Sequence, residues 1–185
     1  MTLPTILLTG SSRGIGAAAA SALRARGARV VGHASRTADA DTLAADLSDS
    51  AAPRALWDAA LGRAGGTIDV LVNNAGVFDA NPIARDDDEW LAKWEHDMAV
   101  NLTSTAQLSR LAVRHWQARG CGGRIVHVAS RAGHRGDSPE HWHYAAAKGG
   151  MLALHKTIAR GYAGQGILSF AVTPGFTDTG FDVCH

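Results

Sequence analysis

The stretch LLTGSSRGIGAAAA (residues 7–20) joins a short apolar run to an alanine-rich segment through a loop that contains three glycines. The apolar run predicts a buried strand and the alanines predict a helix. Gly10 permits a tight turn, whereas Gly14 and Gly16 let a bound group approach the backbone and let the helix pack closely on the sheet. The first turn of a helix offers free N–H groups and a positive dipole end, so this unit favours phosphate binding. Such loops also occur as plain turns, and the rest of the chain has to decide between the two.

The alternation of strand and helix continues along the whole chain. Apolar runs predict strands at 5–9, 28–33, 42–46, 68–74, 123–130 and 167–173, and the segments between them predict helices at 14–26, 50–63, 87–117 and 142–163. The runs are nearly continuous in hydrophobicity, as in strands covered on both faces. We therefore expect an α/β fold, a three-layer, Rossmann-like, doubly wound parallel sheet of about six strands, forming a single domain over residues 1–185.

The second crossover is unusually short. Only the eight residues ASRTADAD (34–41) separate the second strand from the third. A full crossover helix normally needs about ten residues or more. Either this helix is reduced to a single turn or the strand at 42–46 is wrong.

Composition excludes several classes of protein. The 185 residues are 46% apolar and 19% charged, as in ordinary globular proteins, and the net charge of +1 gives no reason to expect nucleic acid or a membrane surface as a partner. Cys121 and Cys184 follow no metal or disulfide spacing, and with so few cysteines we expect a cytoplasmic location. Neither a signal peptide nor a membrane-spanning run is predicted.

The stretch SRAGHRGDSPEHWHYAAAK (130–148) carries the candidate chemistry. Tyr144 and Lys148 are four residues apart, one turn on the same helix face, so the ammonium is expected to lower the pKa of the phenol and make it a general acid or base. Ser130 ends its strand at the edge where parallel sheets bind ligands, and its hydroxyl can donate a hydrogen bond to a carbonyl oxygen. A lone Tyr–Lys pair is usually a surface contact, but the glycine loop and Ser130 favour a proton-transfer site.

Five motifs in register resemble the short-chain dehydrogenase/reductase family, and within it the short-type NADP-dependent carbonyl reductases. They are TGSSRGIG (9–16), NNAG (73–76), Asn101 in MAVNLTS, YAAAK (144–148) and PGFTDT (174–179). The resemblance implies that Tyr144 passes the proton, Ser130 orients the carbonyl, Lys148 also holds the nicotinamide ribose and Asn101 anchors a water that joins Lys148 to solvent. The loop between Ser130 and Tyr144 has thirteen residues, one more than the commonest family spacing. A loop absorbs this difference.

The resemblance also implies a set of cofactor-binding residues. They are Gly10, Ser12, Arg13, Gly14, Ile15, Gly16, Arg36, Asp46, Leu47, Asn74, Ala75, Gly76, Tyr144, Lys148, Pro174, Gly175, Thr177 and Thr179. Asp46 and Leu47 would contact the adenine ring.

The choice of nicotinamide depends on the region after the second strand. An acidic residue there typically binds the ribose of NAD, whereas GHASRTADAD places His33 at the strand end, followed by Ser35 and Arg36. Arg36 and Arg13 suit a 2′-phosphate through charge-assisted hydrogen bonds, which favours NADP(H). NAD(H) remains possible if Asp39 or Asp41 reaches the ribose.

Three histidines lie in the loop before Tyr144. His134, His141 and His143 have no carboxylate or cysteine partner at metal-binding spacing, so we expect no metal site. His143 and Trp142 lie beside the proposed acid and are candidates for shaping the substrate pocket, with no catalytic role.

The family normally continues beyond the Pro-Gly segment with a substrate-covering helical segment and a seventh strand. This chain ends at TGFDVCH, so we expect a C-terminally truncated form without the last strand, with activity reduced or lost. Two functions remain open: an oxidoreductase acting on a small carbonyl or alcohol substrate, and a non-catalytic, nucleotide-binding or oligomer-forming homologue. Apolar residues on the helices at 87–117 and 142–163, with the resemblance, predict a homodimer or homotetramer.

Overall fold

A six-stranded, entirely parallel sheet forms the centre of the protein in a computed structural model that describes residues 3–177. The strands are β1 (Thr5–Leu8), β2 (Arg29–Ala34), β3 (Thr42–Ala44), β4 (Val70–Asn73), β5 (Gly123–Val128) and β6 (Ile167–Val172). Their order in the sheet is β3-β2-β1-β4-β5-β6. The order reverses between β1 and β4, and the crevice above this point is where doubly wound sheets bind ligands. The predicted fold class is confirmed.

Helices pack on both faces of the sheet. They are α1 (Gly14–Ala25), α2 (Ala52–Ala64), α3 (Asp87–Met98), α4 (Ser104–Ala118), α5 (Ala132–Arg135) and α6 (Trp142–Tyr162). A π-helical turn, Ala99–Thr103, separates α3 from α4, so the predicted helix at 87–117 is in fact two helices with this turn between them. A 3-10 turn, Ala163–Gln165, follows α6. None of the helices within residues 3–177 combines the length and the apolarity that a bilayer span requires.

Side chains that alternate along the strands build two cores. Leu7 faces α2 and α4, where Trp57 and Trp116 are buried, and the indole of Trp116 donates a hydrogen bond to the Ile68 carbonyl at 2.7 Å. Ile6 and Leu8 face α1 on the other side. Burial of these apolar surfaces is the main force holding helices to the sheet.

The short crossover between β2 and β3 contains no helix. Residues 35–41 run as an irregular loop, yet β3 pairs with β2 in parallel, with Gly32 opposite Thr42 and Ala34 opposite Ala44. The strand at 42–46 is therefore present, shortened to Thr42–Ala44, and the expected single helical turn is absent from this connection. The end of this loop is held against β2 by a hydrogen bond, which Gly32 N donates to the Asp41 carbonyl at 2.7 Å.

Candidate active site

The glycine loop connects β1 to α1 at the carboxyl edge of the sheet. Gly10 has a φ of 66°, and a Cβ there would lie 2.7 Å from Ala75 Cα, so only glycine fits. Arg13 is the N-cap residue of α1, and its side chain makes no capping hydrogen bond. The N–H groups of the first turn, Gly14 to Gly16, are therefore left without a side-chain cap, as an anion site at a helix N-terminus requires. Ser12 and Arg13 are exposed and Ile15 is half-buried.

The NNAG segment is tied to this loop by Thr9. The Thr9 hydroxyl accepts hydrogen bonds from Asn74 N and Ala75 N, each at 3.0 Å. The Asn74 amide in turn donates to the carbonyls of Thr9 and Gly10, at 3.0 and 2.8 Å. The loops after β1 and β4 are therefore joined by four hydrogen bonds at the switch point.

His33 holds the same loop from the other side. Its Nδ1 accepts a hydrogen bond from Gly10 N at 3.1 Å, so the ring proton lies on Nε2 and is donated to the Ala45 carbonyl at 2.9 Å. Burial lowers the pKa of His33, which favours this neutral form. The sequence showed only a polar residue at a strand end. Its partners lie in the glycine loop and directly after β3, two segments that come together through folding.

Ser130, Tyr144 and Lys148 lie where β5 ends and α6 begins. Tyr144 is in the first turn of α6, and Lys148 is one turn later with its ammonium 5.5 Å from the centre of the Tyr144 ring. Lys148 is 3% exposed and donates a hydrogen bond to the Val128 carbonyl at 2.9 Å. Burial lowers its pKa to about 8. Ser130 Oγ accepts a hydrogen bond from Ala132 N at 3.1 Å, which fixes the hydroxyl in the loop after β5.

The pKa of Tyr144 is raised, so the predicted lowering is wrong for the protein without a cofactor. Burial is the largest cause; the Ser130 hydroxyl acts in the opposite direction, and the negative charge of Asp137 adds to the rise. The Lys148 ammonium, which donates a hydrogen bond to the Val128 carbonyl, is not among the groups that shift this pKa. Tyr144 is therefore a neutral phenol near neutral pH, suited to donating a proton.

Asn101 lies in the π-helical turn and is fully buried. Its amide accepts from Val77 N at 3.1 Å and donates to Val77 O at 3.0 Å. A Cβ on Gly76 would lie 2.8 Å from Asn101 Oδ1 and 3.6 Å from Lys148 Nζ, so these two polar groups meet around Gly76. Asn101 thus holds the chain beside Lys148, and its role in anchoring a water stays a prediction.

The residues before Tyr144 take positions that their order in the sequence did not indicate. Phe78 stacks on His141, with ring centres 4.0 Å apart, and meets the Tyr144 ring edge-on at 4.7 Å. Trp142 is 54% exposed. His143 is 1% exposed and points towards Asp97, so the expectation that it shapes the substrate pocket is wrong. Phe78, which belongs to none of the sequence motifs, lies beside Tyr144 instead. The exposed His134 belongs to the short helix α5.

At the far end of the crevice, Asp46 and Leu47 follow β3. The Asp46 carboxylate accepts hydrogen bonds from the Ser48 amide and hydroxyl, which lower its pKa. Leu47 is 5% exposed and packs in the core, so a contact between Leu47 and an adenine ring can come only from its backbone.

A polar cavity of about 530 Å³ lies between the glycine loop and the β2–β3 connection. Ser11, Ser12, Asp39 and Asp41 are among its lining residues, whereas Arg36 is exposed in the same connection. Asp39 accepts a hydrogen bond from Asp41 N at 2.8 Å, and Asp41 lies 3.7 Å from the Arg24 guanidinium. Both carboxylates therefore already have partners in the protein.

The Pro-Gly segment follows β6 beside the loop of Ser130. The carbonyl of Pro174 accepts a hydrogen bond from Arg131 N at 3.3 Å, and Gly175 and Thr177 are exposed. Thr179 lies outside the described residues. Over residues 3–177, no group of three or more His, Cys, Asp or Glu side chains is arranged to hold a metal ion.

A doubly wound sheet with an uncapped glycine loop at its switch point, and a Ser, a Tyr and a Lys above the same edge, defines a dinucleotide-binding class of protein. The family model described as short chain dehydrogenase matches residues 4–183, and the chain belongs to this family.

Relatives and solved structures agree with this assignment. The chain is 35% identical to the 3-oxoacyl-[acyl-carrier-protein] reductase FabG of Salmonella typhimurium over 184 residues, which cover 94% of this chain and 73% of that protein. It is 36% identical to nodulation protein G of a Rhizobium species, with the same coverage. Among solved structures, 4-hydroxyisoleucine dehydrogenase complexed with NADH is similar at a TM-score of 0.85 and 26% identity, covering 96% of this chain and 77% of that one.

Proposed function

We propose that this chain is an oxidoreductase that interconverts a carbonyl and a secondary alcohol with a nicotinamide cofactor, and that Tyr144 is the acid/base. The observation that carries the proposal is the buried Lys148 ammonium 5.5 Å from the Tyr144 ring, at the edge where the glycine loop lies. The names of similar proteins support it, because a 3-oxoacyl reductase acts on a ketone and 4-hydroxyisoleucine dehydrogenase was solved with NADH.

The residues present fit a dinucleotide. The uncapped first turn of α1 suits a pyrophosphate, and Gly10 allows the loop to lie close against Ala75. When bound, the nicotinamide supplies or accepts the hydride at the substrate carbon. In the reducing direction the Tyr144 hydroxyl donates its proton to the carbonyl oxygen, Ser130 donates a hydrogen bond to that oxygen, and Lys148 holds the ribose.

Turnover tests this proposal. Purified protein is mixed with NADPH or NADP⁺ and a panel of ketones and secondary alcohols, and the absorbance of the reduced nicotinamide is followed. Turnover of at least one substrate supports an enzyme. Cofactor binding without turnover on any substrate supports the second function, a nucleotide-binding or oligomer-forming homologue without catalysis. Failure to bind either nicotinamide contradicts both.

We propose NADP(H) as the favoured cofactor. Ala34, at the end of β2, is buried and offers no carboxylate to a ribose, and Arg36 follows two residues later. Changing Arg13 and Arg36 together to alanine is expected to weaken NADPH binding by on the order of 10- to 100-fold, as loss of charge-assisted hydrogen bonds does. NADH binding should stay unchanged, and titration calorimetry with both cofactors measures the two dissociation constants.

Two further variants complete this test. Arg160→Ala removes an exposed arginine on α6 and should alter neither constant. Changing Asp39 and Asp41 to asparagine distinguishes the alternative, because these carboxylates line the cavity. If that change weakens NADH while the arginine variant binds NADPH normally, the chain is an NAD(H) protein.

We also propose a homodimer or homotetramer. Three apolar residues of β6 are exposed on the face that α1 covers elsewhere in the sheet: Leu168 (38%), Phe170 (47%) and Val172 (48%). On the helices named in the sequence prediction, the large apolar residues that are exposed in the described range are Leu91 and Trp142. Among the elements of the sheet and its helices, β6 therefore contributes three exposed apolar residues to such a contact and the two helices one each. The molar mass from light scattering decides, and a monomer at all concentrations contradicts the proposal.

A further inference from the structure

Asp97 is a carboxylate buried inside a helical layer. It lies in the last turn of α3, 0% exposed, one turn before Asn101. A buried charge is costly unless it is paired and hydrogen-bonded. The groups that pair with the buried charge of Asp97 are therefore relevant to the candidate active site next to it.

Side-chain nitrogen atoms of three residues lie close to the Asp97 carboxylate. Lys93 Nζ lies 2.6 Å and His96 Nδ1 2.9 Å from Oδ1, and both belong to α3 itself. His143 Nε2 lies 2.9 Å from Oδ2 and comes from α6. Burial alone would raise the pKa of the Asp97 carboxyl, but the interactions with His143, Lys93 and His96 outweigh it and lower the pKa to about 2. Asp97 is therefore an anion whose link to α6 is His143.

His143 Nε2 faces two acceptors. It donates its proton to the Asp79 carbonyl at 3.0 Å, and Asp97 Oδ2 lies 2.9 Å from the same nitrogen without the alignment of a hydrogen bond. Lys93 also bonds the Asp79 carboxylate at 3.0 Å. One cluster, with Asp97 and His143 buried at its centre, thus joins three segments: the end of α3, the chain after the NNAG motif and the first turn of α6.

The first turn of α6 has no side-chain cap. Its N-cap residue is His141, which makes no capping hydrogen bond, so the start of this helix depends on contacts from elsewhere. His143 is the residue immediately before Tyr144 and is 1% exposed. Phe78, next to Asp79, meets the Tyr144 ring edge-on. A shift of His143 or Asp79 is therefore transmitted directly to Tyr144.

We propose that Asp97 is a positioning residue: through His143 and the backbone of Asp79, it fixes the first turn of α6 and so places the Tyr144 hydroxyl beside Ser130. The kinetic test of this role rests on the proposed function. The structural test does not, because it follows the NMR signal of the Tyr144 side chain. The chain has one other tyrosine, Tyr162, at the opposite end of α6, and its signal serves as the reference.

The test compares Asp97→Asn with the matched control Glu95→Gln, which removes an exposed carboxylate from the same helix. Isotope-labelled tyrosine Cζ gives two NMR signals, which Tyr144→Phe assigns. Asp97→Asn is expected to move the Tyr144 signal and leave Tyr162 in place, and to lower kcat by on the order of 10-fold or more with less change in KM, since small misplacements of a catalytic group are costly. The control should change neither signal nor rate.

Variants of His143, the partner of Asp97 in this contact, keep the proposal testable if Asp97→Asn fails to fold. His143→Ala should reproduce the shift of the Tyr144 signal, and His143→Gln, which keeps an N–H donor of similar reach, should restore it in part. If Asp97→Asn and His143→Ala leave the Tyr144 signal where the unaltered protein has it, the inference is wrong. If the signal moves but the unaltered protein turns over no substrate, the positioning role stands and the proposed function fails.

Discussion

Tyr144→Phe is expected to lower kcat by on the order of 10²- to 10⁴-fold, the range that a positioned general acid contributes. The change removes the hydroxyl that donates the proton while keeping the ring, which packs edge-on against Phe78. Because the raised pKa of Tyr144 keeps it a neutral acid near neutral pH, the loss should be plain in the direction of carbonyl reduction. Initial rates under saturating cofactor and substrate measure it.

Tyr162→Phe is the matched control for this variant. Tyr162 is at the other end of α6, packed against the main core, and is the second of the two tyrosines in the chain. It should leave kcat unchanged, and NADPH should bind both variants as it binds the unaltered protein. A Tyr144→Phe protein that keeps full activity would remove Tyr144 from the mechanism.

Lys148→Met is expected to reduce activity strongly and, at the same time, to stabilise the fold. The pKa of Lys148 falls from 10.5 to about 8 on burial, so below pH 8 the folded protein holds a charged, desolvated ammonium. A lowering of this size corresponds to about 3 kcal/mol of destabilisation at neutral pH. Methionine fills similar space without the charge, and the free energy of unfolding at pH 7 should rise by up to that amount.

The pH dependence distinguishes this effect from general repacking. Between about pH 8 and 10.5 the unfolded chain binds more protons at Lys148 than the folded protein, so the stability of the unaltered protein should rise with pH across this window. The Lys148→Met variant should lack that rise, and urea titrations at several pH values measure both proteins. Lys156→Met, an exposed lysine on the same helix, serves as the control and should keep the rise. Equal pH dependence in both variants would show that Lys148 is not the titrating group.

Much of the fold could be predicted because it rests on patterns that act locally. Continuous apolar runs predicted all six strands, and the glycine loop predicted the turn into α1, since only residues without a Cβ fit against Ala75. The spacing of Tyr144 and Lys148 placed them one helical turn apart, as the structure has them. The break of the helix at 87–117 by a π-helical turn was not visible, and Asn101 in this turn accepts a hydrogen bond from Val77, a residue far away in the sequence.

By itself, the sequence determined the fold class and the set of polar residues that meet at one edge of the sheet, because hydrophobic periodicity and glycine placement act along the chain. Only the tertiary structure decided the burial, the hydrogen-bond partners and the pKa direction of each polar group. Burial raises the pKa of Tyr144 and lowers that of Lys148, although their spacing suggested a lowered pKa for Tyr144. His33 bonds to the glycine loop, and His143 meets Asp97 across two helices. Hydrogen-bond partners and desolvation depend on residues far apart in the chain, so they are decided only when the sheet and its helices have packed together.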